Sequence, residues 1–155
     1  MSTSKVVIVT GASQGIGAAT VQAFLARGHR VVANARSIAA SDHPNLATVA
    51  GDIGDAQTAK RIAETALERF GRIDTLVNNA GIFIAKPFTQ YTSDEYEAIN
   101  GVNLDGFFHI TQRAIAAMEQ QGSGHVVTST TSLVDHAKSN VPSVLASLTK
   151  VGLNP

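Results

Sequence analysis

At 155 residues the chain is long enough for one compact domain, and 44% hydrophobic against 15% charged residues is a globular balance far from the polar signature of disorder. Twelve basic side chains offset twelve acidic ones, which argues against nucleic acid or an anionic membrane as partner, and the lack of cysteine excludes disulfides, thiolate metal sites and thiol nucleophiles. The start, Met1 to Lys5, is short and polar with no apolar signal core, and no apolar run approaches a membrane span, so a cytoplasmic protein is expected.

In chain order, the unbroken β-branched run Val6 to Val9, stopping at Thr10 and Gly11, predicts a central parallel strand covered on both faces. Ile16, Ala19, Thr20, Ala23, Phe24 and Arg27 then recur at helical spacing, and Gly28 supplies a C-terminal stop. Strands follow near Arg30 to Asn34 and Leu46 to Ala50, a helix from about Asp55 to Phe70 closed by Gly71, and a strand at Thr75 to Asn78. A longer helical region runs from Ser93 through Met118 with Asn100 and Gly101 as weak spots, then a strand at His125 to Ser129 and a last helix after Pro142. This alternation predicts an α/β fold of Rossmann type, a doubly wound parallel sheet in a three-layer αβα arrangement, with residues 1–155 forming a single domain.

Gly11, Gly15 and Gly17 sit between a strand and a helix in the run T-G-A-S-Q-G-I-G. Missing side chains there permit a tight turn and let backbone N–H groups approach a phosphate, while the helix adds its positive N-terminal end. The spacing G-x-x-x-G-x-G, together with Asn78, Asn79, Ala80 and Gly81, resembles the short-chain dehydrogenase/reductase family. Asp52 and Ile53 match the family's acidic-aliphatic pair beside the adenine, the V-N-L-D-G stretch carries the family asparagine at Asn103, and Lys150 falls where the family places a helical lysine. The resemblance implies a nicotinamide cofactor held by Gly11, Ser13, Gln14, Gly15, Ile16, Gly17, Arg36, Asp52, Ile53, Asn79, Ala80, Gly81 and Lys150. At the end of the second strand, where NAD proteins carry an acid for the ribose 2′-OH, stands Ala35, and Arg36 beside it offers a planar charged fork suited to a 2′-phosphate. NADP(H) is therefore favoured over NAD(H), against the alternative that Arg36 is an ordinary surface arginine.

In the family a tyrosine exchanges the proton with the substrate oxygen, a lysine one helical turn later lowers its pKa and holds the ribose, a serine steadies the oxygen, and an asparagine completes a proton relay. Counting back four residues from Lys150 reaches Ala146, and the only tyrosines, Tyr91 and Tyr96, lie far upstream. The serine position falls within T-S-T-T-S-L, where Ser132 or Thr131 could present the hydroxyl, with a lean to Ser132. The catalytic candidates are thus Asn103, Ser132, Thr131 and Lys150, with the proton donor unassigned. His136, with Asp135 beside it, is a surrogate acid or else a solvated loop histidine, and Ser143 and Ser147 are too weakly acidic without a base. Five scattered histidines (His29, His43, His109, His125, His136) give no metal-binding pattern, so no metal is expected.

The resemblance also implies a further strand, helix and strand beyond the lysine helix, so the domain is expected to be C-terminally incomplete, with its C-terminal strands missing and an edge that invites pairing after the fifth strand. The leading expectation is an oxidoreductase transferring hydride between NADP(H) and a small alcohol or carbonyl substrate. The rivals are a non-catalytic NADP(H)-binding module or truncated remnant, and a mononucleotide or flavin binder, which N-N-A-G and Arg36 weaken. A homo-oligomer is a further implication of the resemblance, and Phe107, Ile110, Ala114, Ile115 and Met118 form an apolar stripe that would face a second subunit or pack on the sheet.

Overall fold

The computed structural model describes residues 4–136 and 140–153; the expected domain limits, Met1 and Pro155, lie outside the described residues. Strand β1 (Val6–Thr10) is the middle of a five-stranded, all-parallel sheet of order β3-β2-β1-β4-β5, completed by β2 (Arg30–Ala35), β3 (Leu46–Ala50), β4 (Thr75–Asn78) and β5 (His125–Thr128). Val7 stands opposite Val31 on one side and Thr75 on the other. Side-chain alternation sends Val6 and Ile8 into one core and Val7 and Val9 into a second on the opposite face, all four fully buried. Each such burial is worth roughly 1.5–3 kcal/mol, which is why an unbroken apolar run marks the centre of the sheet.

Helices α2 (Ala56–Phe70) and α4 (Gly106–Gln121) cover the first face. The Asp55 side chain caps α2 by accepting from the Gln57 N–H, and Gly71 ends it in the left-handed conformation (φ 80°) that a residue with a Cβ adopts only at a cost. Ile110, Ala114 and Met118 of α4 share a buried core with Leu76, Ile62 and Phe70, so this part of the apolar stripe packs inward; Ile115 is 40% exposed and Phe107 is half-buried outside that core.

Helix α1 (Gly15–Ala26), where the helical spacing placed it, covers the second face. Gly17 and Val21 are its buried residues, with Phe24 and Leu25 packed against the same core, whereas Ile16 is 73% exposed and Ala19, Ala23 and Arg27 also face out. The reason lies in Gly17: a Cβ there would run into the Gly11 carbonyl oxygen, so the helix turns its glycine inward to pack on the preceding turn. That rotation leaves Ile16 outside.

The helical region after β4 is three pieces in series. Helix α3 (Ser93–Asn100) starts with a capping box between Thr92 and Glu95, a π-helical segment spans Gly101–Asp105, and α4 follows without a break in chain direction. The widened turn sets Gly106 against Ile53, where a Cβ would lie 2.8 Å from Ile53 Cγ2, and puts Asn103 in the interior. Helix α5 (Val144–Val151) packs on α3 and the π segment. A short 3-10 turn, Phe88–Gln90, which sequence spacing gave no reason to expect, follows Pro87.

At the end of the sheet remote from the glycine turn, Asp74 pins the start of β1 by accepting from the Val6 N–H at 2.9 Å and from Arg72 at 2.8 Å. Burial pushes its carboxyl up, but Arg72, the Val6 N–H and Lys5 outweigh that and hold it below the usual carboxylate range.

Candidate active site

Sheet order reverses at β1, because β2 and β3 lie to one side of it and β4 and β5 to the other. In open α/β sheets the crevice beyond the strand ends at such a point is the natural ligand site. Here a cleft of about 550 Å³ occupies it, lined by Gly11, Ser13, Gln14, Gly15 and Ile16 from the turn, Arg36 and Ser37 beyond β2, Asp52 and Ile53 beyond β3, and Asn79, Ala80 and Gly81 beyond β4.

The turn is held from below by backbone and short polar side chains. Thr10 Oγ1 accepts from the N–H groups of Asn79 (3.1 Å) and Ala80 (3.0 Å), and Asn79 Nδ2 donates to the carbonyls of Thr10 and Gly11, both at 3.2 Å. Asn79 therefore acts as a brace that locks the N-N-A-G segment to the glycine turn. Thr10, the buried first residue of the T-G-A-S-Q-G-I-G run, is the hub of that brace. Asn78 is likewise structural, donating to Thr111 Oγ1 at 2.9 Å.

These contacts leave the top of the turn free. No side chain caps α1 and no acidic residue sits in its first turn, so its leading N–H groups face the cleft without a partner from a cap. Nothing lies within 4 Å of where a Gly15 Cβ would point. An uncapped helix start, an open glycine turn and a cleft of this volume fit the pyrophosphate of a dinucleotide. At the β2 end, Arg36 and Ser37 are exposed and line the cleft together; Ser37 was missed in the sequence because a serine after a strand carries no pattern. Asp52 accepts from the Gly54 N–H at 2.9 Å, closing its own loop while its side chain borders the cleft, and buried Ile53 forms the floor beside it.

Gly81 joins this cleft to a second compartment of about 390 Å³, lined by Gly81, Ile82, Phe83, Thr131, Leu133, Ala146 and Lys150. Ser132 is exposed and does not line it; Thr131, half-buried, does, so the hydroxyl facing the compartment is that of Thr131. The turn after β5 causes this, since the Thr131 and Ser132 carbonyls accept from the Val134 and His136 N–H groups and rotate Ser132 outward. His136 and Asp135 lie exposed on the same turn and line neither cavity.

Lys150 reaches the compartment from α5. Its Nζ donates to the Ser129 carbonyl at 3.3 Å and sits 3.1 Å from the position of a Cβ on Gly81, and burial lowers its pKa below the ordinary lysine value. Asn103, 1% exposed, exchanges two bonds with the Ile82 backbone (2.8 and 3.1 Å) and donates to Thr149 Oγ1 at 3.0 Å. Both of its amide protons are spent, so its side chain ties the wall of the compartment to α5. Among the described residues, no group of three His, Cys, Asp or Glu could hold a metal ion, and no helix is long and apolar enough to cross a membrane.

Residues 5–150 match the short chain dehydrogenase family. The chain belongs to that family. It is 35% identical over 138 residues to a 3-oxoacyl-(acyl-carrier-protein) reductase of Synechocystis sp., covering 83% of this chain and 56% of the relative. It is 32% identical over 126 residues to a sorbitol dehydrogenase of Cereibacter sphaeroides, covering 77% and 49%. A crystal structure of a short-chain dehydrogenase from Streptomyces avermitilis superposes with a TM-score of 0.87 at 32% identity, covering 99% of this chain and 58% of that one. The chain spans about half the length of the curated relatives it matches. The family binds a nicotinamide cofactor, and in this member the position one helical turn before Lys150 is Ala146, 4% exposed, with its methyl on the second compartment.

Proposed function

We propose that this protein is an NADP(H)-dependent oxidoreductase that interconverts a small alcohol and its carbonyl compound. One observation carries the reading: the cleft at the sheet switch point opens at Gly81 into a compartment whose polar groups are Thr131 and Lys150. The turn from Gly11 to Gly17 holds the pyrophosphate on the α1 N–H groups, with Ser13, Gln14 and Ile16 at the rim, and Asp52 and Ile53 flank the adenine. Asn79, Ala80 and Gly81 wall the middle, and Lys150 lies within reach of the nicotinamide ribose. When bound, the reduced nicotinamide supplies a hydride to a carbonyl carbon. Thr131 donates a hydrogen bond to the substrate oxygen, and Asn103 keeps α5 and the 81–83 wall at a fixed separation. Preference for NADP(H) follows from Ala35 and from the paired donors of Arg36 and Ser37, which suit a 2′-phosphate. Exposed Val144, Leu148 and Val151 on α5 support self-association.

Parallel fluorescence titrations of the chain with NADPH and NADH test the reading. NADPH is expected to bind at least tenfold more tightly, and Arg36→Ala to weaken NADPH by about 1.5 kcal/mol, roughly tenfold, while leaving NADH nearly unchanged. Equal losses for both cofactors would remove the assignment of Arg36. The buried Ala146 in the acid/base position favours a second reading, a binding module without turnover, which predicts tight NADPH binding with no NADPH consumed in the presence of any carbonyl compound.

A further inference from the structure

The proposed reaction needs a group that gives a proton to the substrate oxygen, and Ala146 has none to give. Among the described residues, Lys150 is the one ionisable side chain lining the compartment, and it also borders the small gap between that compartment and Asn103. Its Nζ stands at Gly81, which with Ile82 lines both the cofactor cleft and the compartment. One N–H is engaged by the Ser129 carbonyl, leaving two protons without a partner among the described residues. The alanine one turn earlier leaves the space in front of the ammonium open, where a larger side chain would stand between it and the substrate.

We propose that in this chain Lys150 is itself the proton donor and acceptor for the substrate oxygen, acting directly across the space that Ala146 leaves open. The assignment rests on the oxidoreductase reading above. In the reductive direction the hydride adds to the carbonyl carbon as the C=O π bond breaks, the oxygen takes one proton from the Lys150 ammonium, and the neutral amine regains a proton from water. Per turnover, one carbonyl, one NADPH and one proton become one alcohol and one NADP+. Thr131 serves as the second hydrogen bond to the oxygen; its Oγ1 accepts only a long 3.4 Å contact from the Leu133 N–H, so its own proton is free to donate.

The surroundings agree. The elements packed on α5 present carboxylates, but none pairs with Lys150: Asp94 and Glu97 of α3 are exposed, Glu95 is bound to Lys86 and to the Thr92 N–H, and Asp105 of the π segment is exposed. Burial without a counter-charge lowers the proton affinity of the amine, bringing it nearer the range in which a group both gives and accepts protons. A lysine held charged by an adjacent carboxylate would be a poorer acid.

The test uses the whole chain with NADPH and ethyl acetoacetate, a small 3-oxo ester, following cofactor binding and NADPH oxidation separately from about pH 6 to about pH 10, a span that brackets a lowered lysine pKa. Reduction by the parent should fall with rising pH at a midpoint below that of ordinary lysines, and nitrogen NMR of the Lys150 side chain should titrate at that midpoint. Lys150→Ala should lose about 100-fold or more of the rate. Added methylamine, ethanolamine and trifluoroethylamine should restore part of it in an order that follows their pKa values, a pattern that a purely structural role would not produce. Lys150→Arg should stay inactive, because a guanidinium keeps its proton. Ala146→Tyr should turn over the ester with a displaced pH midpoint. Three results overturn the assignment: a Lys150→Ala chain as fast as the parent, amine rescue that ignores amine pKa, or a parent that binds NADPH without consuming it. The first two refute the proton donor alone, whereas binding without consumption leaves cofactor binding standing but defeats the oxidoreductase reading with the Lys150 assignment, and failure to bind either cofactor defeats all three.

Discussion

The glycine turn and the Lys150 compartment lie at the same end of the sheet but are held by different kinds of contact. Around the turn almost every bond is made by backbone or by a side chain bonded to backbone: Asn79 to the Thr10 and Gly11 carbonyls, and the Ala12 N–H to the Asn34 carbonyl. Around the compartment the contacts are between side chains and elements distant in sequence, as where Asn103 joins Ile82 to Thr149. A site built from backbone is intolerant of an added atom, because nothing short of the chain itself can move aside. A site built from side chains can change its chemistry by one substitution while the fold stands. Ala146 fits this second case, buried on a helix that still packs on α3 and still delivers Lys150.

The strongest way to break this contrast is Gly17→Ala. Its Cβ would overlap the Gly11 carbonyl oxygen, so the turn must open; a loss of about 3 kcal/mol in NADPH binding, more than 100-fold, is expected by fluorescence titration. Gly15→Ala meets nothing within 4 Å and pays only for its φ of 56°, about 1 kcal/mol, measured by urea unfolding. Equal binding losses at the two positions would mean that the backbone argument is wrong.

Next in size is Asn103→Ala. It orphans the Ile82 N–H and carbonyl, at a cost of about 2 kcal/mol in unfolding free energy, yet NADPH affinity should change less than turnover because the pyrophosphate end does not depend on it. A binding loss as large as that of Gly17→Ala would show the two ends to be one unit.

The smallest effect is the pH dependence of stability from Lys150. Its folded pKa lies below the unfolded value of 10.5, so between the two the unfolded chain binds more protons and stability rises with pH; below the folded pKa the burial penalty is present in full and constant. Lys150→Met should abolish that rise, by less than about 1 kcal/mol after solvent screening, in urea unfolding compared at neutral and alkaline pH. A rise that persists in the variant would trace to another group.

Much of this molecule was legible from its residues in order. β3 and β4 fall at Leu46–Ala50 and Thr75–Asn78, where the sequence placed them, and α2 ends at the expected Gly71, because β-branched runs, helix caps and left-handed glycines act over a few residues and need no partner to be recognised. The parallel sheet and the glycine turn followed from the same local signals. Tertiary structure alone decided the rest. The face that α1 buries is set by the approach of Gly17 to Gly11, so Ile16 ends outside although its spacing suited a core position. The choice of Thr131 over Ser132 in the compartment depends on a turn closed by backbone bonds, and the widened turn at Gly101–Asp105 depends on Gly106 meeting Ile53 from another loop. Periodicity records that a residue is apolar or hydroxylated; which way it points is fixed only when a second segment of chain arrives to pack against it.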